Sequence, residues 1–117
     1  MSEQLPPYGV SYIAQKVDDN AILSPTVARF KEIADNMVAT YQIKNHDYAD
    51  SFSISVRKYG LVAALTRISD KFNRIENLIL GADRQVTDES LADSLKDLAC
   101  YAVMTIMAIK ENQKNKA

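Results

Sequence analysis

The sequence has few of the residues that define disulfide-rich, zinc-binding and many-stranded proteins. It contains one cysteine, one histidine, three glycines and three prolines, and no tryptophan. One cysteine and one histidine cannot build a disulfide framework or a His/Cys zinc site. So few glycines and prolines cannot supply the tight turns of a many-stranded sandwich. We therefore expect Cys100 to be a reduced, buried, small apolar residue.

The sequence also lacks a long hydrophobic run and an excess of either charge. Its longest nearly apolar stretch runs from Leu98 to Ile109, whereas a membrane-spanning helix needs about 17–25 residues. Fourteen basic and 15 acidic residues give a net charge of −1, which argues against a surface that binds nucleic acid directly and against a polybasic membrane anchor. The first residues, MSEQLPPYG, do not resemble a secretory signal. We therefore expect a cytoplasmic protein without membrane contacts.

The length of 117 residues suggests one domain, which we divide into three parts. Residues 1–23 form an N-terminal arm, residues 24–110 a helical bundle, and residues 111–117 a polar, frayed tail. Two interpretations of the arm stay open. It is either a loosely ordered terminus or a segment that packs on a neighbouring subunit through Tyr8, Tyr12 and Ile13.

Hydrophobic periodicity predicts an all-α bundle of three long helices and one short helix. The first long helix begins at Ser24-Pro25, a good N-cap followed by a favourable first residue, and ends near Asn45. A short helix lies between Asp50 and Gly60. The second long helix covers residues 61–80, with Gly81 as C-cap, and the third covers 88–110, with Thr87 as N-cap. The short link between the last two predicts that they run antiparallel.

Two apolar stripes follow from this periodicity, and each is expected to face the core. The stripe on the first helix comprises Val27, Phe30, Ala34, Met37 and Tyr41. The stripe on the second long helix comprises Leu65, Ile68, Phe72, Ile75 and Ile79. The third helix is apolar all round after Asp97, which in so small a chain indicates burial at a subunit interface.

An acidic face at the start of the third long helix is the strongest chemical feature. Glu89, Asp93 and Asp97 stand at i, i+4 and i+8 and so share one face. Like charges at this spacing repel, and clustered carboxylates are ligands that Mg²⁺ or Mn²⁺ prefers. The alternative is a solvated acidic face that Lys96 partly compensates.

A basic face on the preceding helix is expected to lie beside the acidic one. It comprises Arg67, Lys71 and Arg74, with Asp70 among them as a further possible metal ligand. Arginine and lysine side chains of this kind bind phosphate. The alternative is a set of interhelical salt bridges, for example from Arg74 to Glu89, and both interpretations can hold together.

The segment from residue 44 to residue 52 (KNHDYADSF) could contribute accessory groups. Asp47 and Asp50 could reach a metal ion, although they could equally be N-caps, and His46 is typical of a surface residue. Tyr48, Phe52 and Tyr101 are aromatic side chains that could stack on a nucleotide base.

Three segments carry a resemblance to a known family. They are KNHDYADSF (44–52), RISDKFNRIENL (67–78) and VTDESLADSLKDLACYAVM (86–104). Over about residues 40–110 the chain resembles the nucleotide modification associated domain family, which is common in phages and prophages. That family is similar to the MazG-like all-α nucleoside triphosphate pyrophosphatases.

The resemblance implies a helical bundle that forms homodimers or homotetramers and hydrolyses an NTP or dNTP to monophosphate and pyrophosphate with Mg²⁺. Asp93 and Asp97 match the second acidic motif of the superfamily. Asp70 stands where the second acid of the first motif would be, and Arg67 replaces the first acid. Together, the resemblance and the two charged faces predict metal binding by Asp93 and Asp97, which are also the catalytic candidates, aided by Asp70 and Glu89, and phosphate binding by Arg67, Lys71 and Arg74.

Two further functions stay open at this point. One is a nucleotide-binding module without turnover, and the other is a structural interaction protein whose charged faces only pair with each other. A pyrophosphatase releases pyrophosphate from a nucleotide, whereas a binding module binds the nucleotide without turnover. The thermal stability of an interaction protein changes with neither Mg²⁺ nor nucleotides.

Overall fold

The computed structural model describes residues 22–48, 50–81 and 88–115, and these ranges fold into four helices. They are α1 (Pro25–Tyr48), α2 (Ser51–Tyr59), α3 (Leu61–Leu80) and α4 (Asp88–Asn115). No strand occurs within the described ranges. The predicted all-α class is therefore confirmed. Most of the predicted arm (1–21), the α3–α4 link and Thr87 lie outside the described residues.

The chain divides into two units, residues 1–32 and residues 33–117. In the described part of the first unit, the backbone N–H of Val27 donates to the Ser24 hydroxyl at 3.2 Å, so the predicted N-cap is confirmed. Val27 and Phe30 were expected to face the core, but both are exposed. Helix α1 continues past the predicted end near Asn45 to Tyr48.

In the second unit, α3 packs along α4, and α2 packs against both. Lys71 contacts Asp97 and Arg74 contacts Ser94, so residue numbers rise along one helix as they fall along the other. The predicted antiparallel pair is therefore confirmed.

Gly60 separates α2 from α3. Its φ of 81° lies in a region that residues with a Cβ rarely adopt, and its N–H donates to the Val56 carbonyl at 2.7 Å. A glycine can close α2 and open α3 without strain. The predicted break at this position is confirmed.

The core-facing side of α3 differs from the predicted stripe. Ala64 and Ile75 are buried, and Ile68, Lys71 and Leu78 beside them are half-buried. Leu65, Phe72 and Ile79 were also predicted to face the core, but they are 63%, 55% and 50% exposed. Because Ala64 is small, the helix can approach its neighbours closely on that side, and the packed face is rotated toward the basic residues.

Helix α4 is longer than the sequence predicts. It continues past Lys110 to Asn115, since the segment ENQKN contains no helix breaker and requires no burial. The part that is apolar all round is expected to be buried at a subunit interface, and within one chain Val103, Ile106 and Met107 are about half exposed, so burial by a second chain stays a prediction. No helix in the described part of the chain is long and apolar enough to cross a membrane.

Candidate functional site

Three helices meet at the carboxylate of Asp97 on α4. The Lys71 ammonium of α3 donates to Asp97 Oδ2 at 3.2 Å, and the Lys44 ammonium of α1 donates to Oδ1 at 3.4 Å. Lys71 and Asp97 are each about one-third exposed, whereas Lys44 is more exposed. The acidic and basic faces predicted from the sequence therefore do meet, through Lys71 and Asp97.

A first cavity, of about 310 Å³, opens beside this charge cluster. Lys44, Lys71 and Asp97 line it together with the aromatic rings of Phe52 and Tyr101. The two ring centroids are 5.5 Å apart and the ring planes are tilted by 43°. The cavity thus combines two cations with an aromatic wall, and these are the groups that recognise phosphate and a planar base.

A second cavity, of about 360 Å³, adjoins the same cluster. It shares Thr40, Lys44, Asp97 and Cys100 with the first cavity. Asp93 and Lys96 complete its charged wall. The Lys96 ammonium lies 3.5 Å from Asp93 Oδ1 and donates to Asn36 Oδ1 at 3.1 Å. Asp97 and Lys44 therefore line both of two adjoining cavities.

The predicted phosphate-binding residues have three different surroundings. Lys71 lines the first cavity. Arg74 donates from Nε to the hydroxyl of buried Ser94 at 3.2 Å, so Ser94 takes the place that the sequence suggested for Glu89. Arg67 is exposed and lines neither of the two cavities. Of the three, Lys71 alone lines one of these two cavities.

The predicted metal ligands are only partly brought together. Asp93 and Asp97 both line the second cavity, while Asp70 and Glu89 are exposed and line neither cavity. Among the described side chains, no group of three histidine, cysteine, aspartate or glutamate residues could hold a metal ion. Mg²⁺ is commonly bound by one or two carboxylates plus substrate phosphates. Asp93 and Asp97 supply two carboxylates to one cavity, the number that this mode of binding uses.

The accessory residues of the α1–α2 corner are described only in part. Asp50 lines the first cavity and has a left-handed backbone, with φ 60°. The side chains of His46, Asp47 and Tyr48 lie outside the described residues. Phe52 and Tyr101, the other two predicted base-binding residues, form the ring pair of the first cavity.

Cys100 lines both cavities. We expected a buried residue, but the structure leaves it half-buried, because α4 faces the two cavities on this side. Burial and the negative charge of Asp97 raise the pKa of its thiol, while Lys44 and Lys96 act in the opposite direction. The thiol is therefore kept neutral beside a charged cluster.

Sequence reasoning missed two cations of the site, Lys44 and Lys96. Tyr41 comes four residues after Met37, and Lys44 comes three residues after Tyr41. Lys44 therefore lies on the same side of α1 as these two half-buried residues. Extending that stripe by one turn would have placed its ammonium next to the core. Lys96 comes three residues after Asp93, and the sequence indicates only that its positive charge partly compensates the acidic face.

Comparison with known proteins supports one family. The model of nucleotide modification associated domain 1 matches residues 44–109, more than half of the 117 residues. The match includes Lys44, Lys71, Lys96 and Asp97 and covers α2, α3 and most of α4. No curated protein and no solved structure matches this chain. The chain belongs to the nucleotide modification associated domain 1 family.

Proposed function

We propose that this domain binds a nucleoside triphosphate in the first cavity and hydrolyses it to the monophosphate and pyrophosphate. The observation that supports the proposal best is the meeting of Lys44, Lys71 and Asp97 beside the ring pair of Phe52 and Tyr101. The family name connects the domain with nucleotides. The pyrophosphohydrolase reaction itself rests on the sequence resemblance to MazG-like enzymes.

Each side chain of the site has a defined part in this proposal. The ammonium groups of Lys44 and Lys71 neutralise phosphate oxygens and the negative charge that develops when water attacks phosphorus. The rings of Phe52 and Tyr101 offer apolar surface to the base. Hydrolysis consumes one water molecule and breaks the phosphoanhydride bond between the α- and β-phosphates. The oxygen of that water ends in one of the two products, the monophosphate or the pyrophosphate.

The proposal includes a divalent cation that two carboxylates would hold. Asp97, which lines both cavities, and Asp93, which lines the second, would hold Mg²⁺ or Mn²⁺ together with the substrate phosphates. The ion would neutralise phosphate charge and lower the pKa of a bound water. Asp70 and Glu89, the other predicted ligands, are exposed on α3 and α4 and line neither cavity, so the metal site of this proposal rests on Asp93 and Asp97.

The test is a pyrophosphate-release assay over a panel of NTPs and dNTPs, with and without Mg²⁺. We expect Mg²⁺-dependent release of pyrophosphate from at least one nucleotide, and its loss in Asp97→Asn. Glu111→Gln removes one negative charge from α4 outside both cavities and should leave turnover unchanged.

Three outcomes separate this function from its rivals. Pyrophosphate release that depends on Asp97 supports the enzyme. Nucleotide binding without release contradicts hydrolysis and supports a binding module. No binding, together with a thermal stability that neither Mg²⁺ nor nucleotide changes, contradicts both and leaves a structural interaction protein.

A further inference from the structure

Asp97 occupies the place where an anionic ligand would contact the two lysines of the first cavity. Its two carboxylate oxygens contact different ammonium groups, Oδ2 that of Lys71 and Oδ1 that of Lys44. A phosphate group bound between the lysines would need the same hydrogen-bond donors. The carboxylate is also one-third exposed, so an entering ligand can reach it.

We propose that Asp97 is an internal competitor for the anionic ligand, which must displace its carboxylate from at least one lysine in order to bind. The inference rests on the proposed nucleotide site, and it adds a restraint on affinity that the site itself imposes. The competition acts in the state without a divalent cation. Asp97 then repels phosphate and at the same time occupies its binding groups.

The geometry favours competition over a purely structural role for Asp97. Surface ion pairs of this exposure contribute little to folding stability, so the two contacts are weak enough to exchange for a ligand. The same contacts join α1 and α3 to α4. The ligand and Asp97 need the same ammonium groups, and coupling of this kind is reciprocal. A ligand that binds the two lysines therefore weakens the contact between Lys44 and Asp97 of α4.

The experiment measures binding of inorganic pyrophosphate by isothermal titration calorimetry in EDTA, with wild type and Asp97→Asn compared. Without the competing charge, we expect the variant to bind pyrophosphate about three- to ten-fold more tightly. Asp97→Glu keeps the charge and should bind like wild type. Glu111→Gln loses a charge on the same helix but away from both cavities and should also bind like wild type.

A structural role predicts the opposite result. If Asp97 only positions the lysines, Asp97→Asn will bind pyrophosphate more weakly than wild type, and an equal or weaker affinity overturns the proposal. Circular dichroism and thermal melting confirm that the variant is folded. If it is not, Asp97→Ser carries the same expectation.

The inference and the proposed function fail in different ways. If Lys71→Gln weakens nucleotide binding while Asp97→Asn does not tighten pyrophosphate binding, only the competitor role is lost. If neither wild type nor Asp97→Asn binds pyrophosphate, the competitor role is overturned, and failure of the nucleotide panel then overturns the site as well. Under the proposal, Asp97→Asn gains metal-free affinity and loses Mg²⁺-dependent turnover.

Discussion

At the scale of single residues, the site depends on a lysine that lies on the packed side of its helix. Lys71 stands between Ile68 and Ile75 on α3, and both of those side chains face inward. A lysine can bury its aliphatic stem there while its ammonium reaches the cavity. The pair with Asp97 is about one-third exposed on both sides, so it contributes only about 0–1 kcal/mol to folding. We therefore expect its loss to affect ligand binding more than folding.

Replacement of Lys71 tests this interpretation. Lys71→Gln should weaken nucleotide affinity about five- to ten-fold, since one of two cations at the cavity is lost, and should change the free energy of unfolding by less than about 1 kcal/mol. Calorimetric titration and denaturant unfolding measure the two effects. Arg57→Gln, which removes a positive charge from the exposed surface of α2, should change neither. Equal weakening by both variants would mean that net charge, and not the site, controls binding.

The thiol of Cys100 reports the electrostatic state of the same cluster. Burial and Asp97 raise its pKa, and only the thiolate reacts rapidly with alkylating reagents. The pH profile of iodoacetamide alkylation should therefore be shifted to higher pH than that of a free cysteine. Asp97→Asn should move the profile to lower pH, and Lys44→Gln should move it to higher pH. If neither variant shifts the pH profile, neither charge affects the pKa of the Cys100 thiol.

At the scale of helices, the sequence predicts boundaries better than orientation. Periodicity and glycine positions located α2 and α3 correctly, because breaks such as Gly60 depend on local backbone geometry. The predicted core-facing side of α3 was wrong because the apolar residues of this helix cover more than half a turn. Size and hydrophobicity alone favoured Leu65 and Phe72 over Ala64 as core residues. The choice depends on how closely α2 and α4 approach, which is a property of the packed helices.

The same argument explains which part of the site could be predicted. The basic face that includes Lys71 and the acidic face that includes Asp97 were expected to meet because the two helices are antiparallel neighbours, although the example pair, Arg74 and Glu89, was not the pair that forms. Lys44 was missed because the stripe of α1 was not followed for one further turn, and that stripe indicates the inward side of α1 but not the residue of α4 that the ammonium contacts. Ser94 was missed because a serine that accepts from Arg74 resembles any small helical residue in the sequence.

The rotated face of α3 can be tested by matched truncations. Ile75 is 6% exposed and Ile79 is 50% exposed, although the sequence places both on one stripe. Ile75→Ala should lower the free energy of unfolding by about 2–4 kcal/mol, and Ile79→Ala by less than about 1 kcal/mol in dilute protein. Denaturant unfolding followed by circular dichroism measures both. Equal losses would show that α3 has the orientation that the sequence suggested.

At the scale of the whole molecule, the described helices leave many large apolar side chains in contact with solvent. Leu65, Phe72 and Ile79 on α3 recur every seven residues and are at least half exposed, and Val103 and Ile106 on α4 are about half exposed. Apolar residues at this interval are typical of helices that pack along a partner. Contiguous exposed apolar surface commonly marks a contact site. These observations support the expectation, first made from the sequence, that the chain forms a homodimer or homotetramer.

The stripe of α3 offers the most direct test of that expectation. Phe72 lies at its centre, with Leu65 and Ile79 one heptad away on either side, so a two-fold axis at Phe72 would set Leu65 against Ile79 of a second copy. Phe72→Glu should therefore reduce the mass measured by light scattering from a multiple of 13.1 kDa to that of a single chain, because a buried charge opposes association. Asn73→Glu adds the same charge at the next residue, about 100° around the helix, and should leave the mass unchanged. A mass that Phe72→Glu does not alter would show that α3 is not the contact, and a wild type that is already monomeric would contradict the oligomer itself.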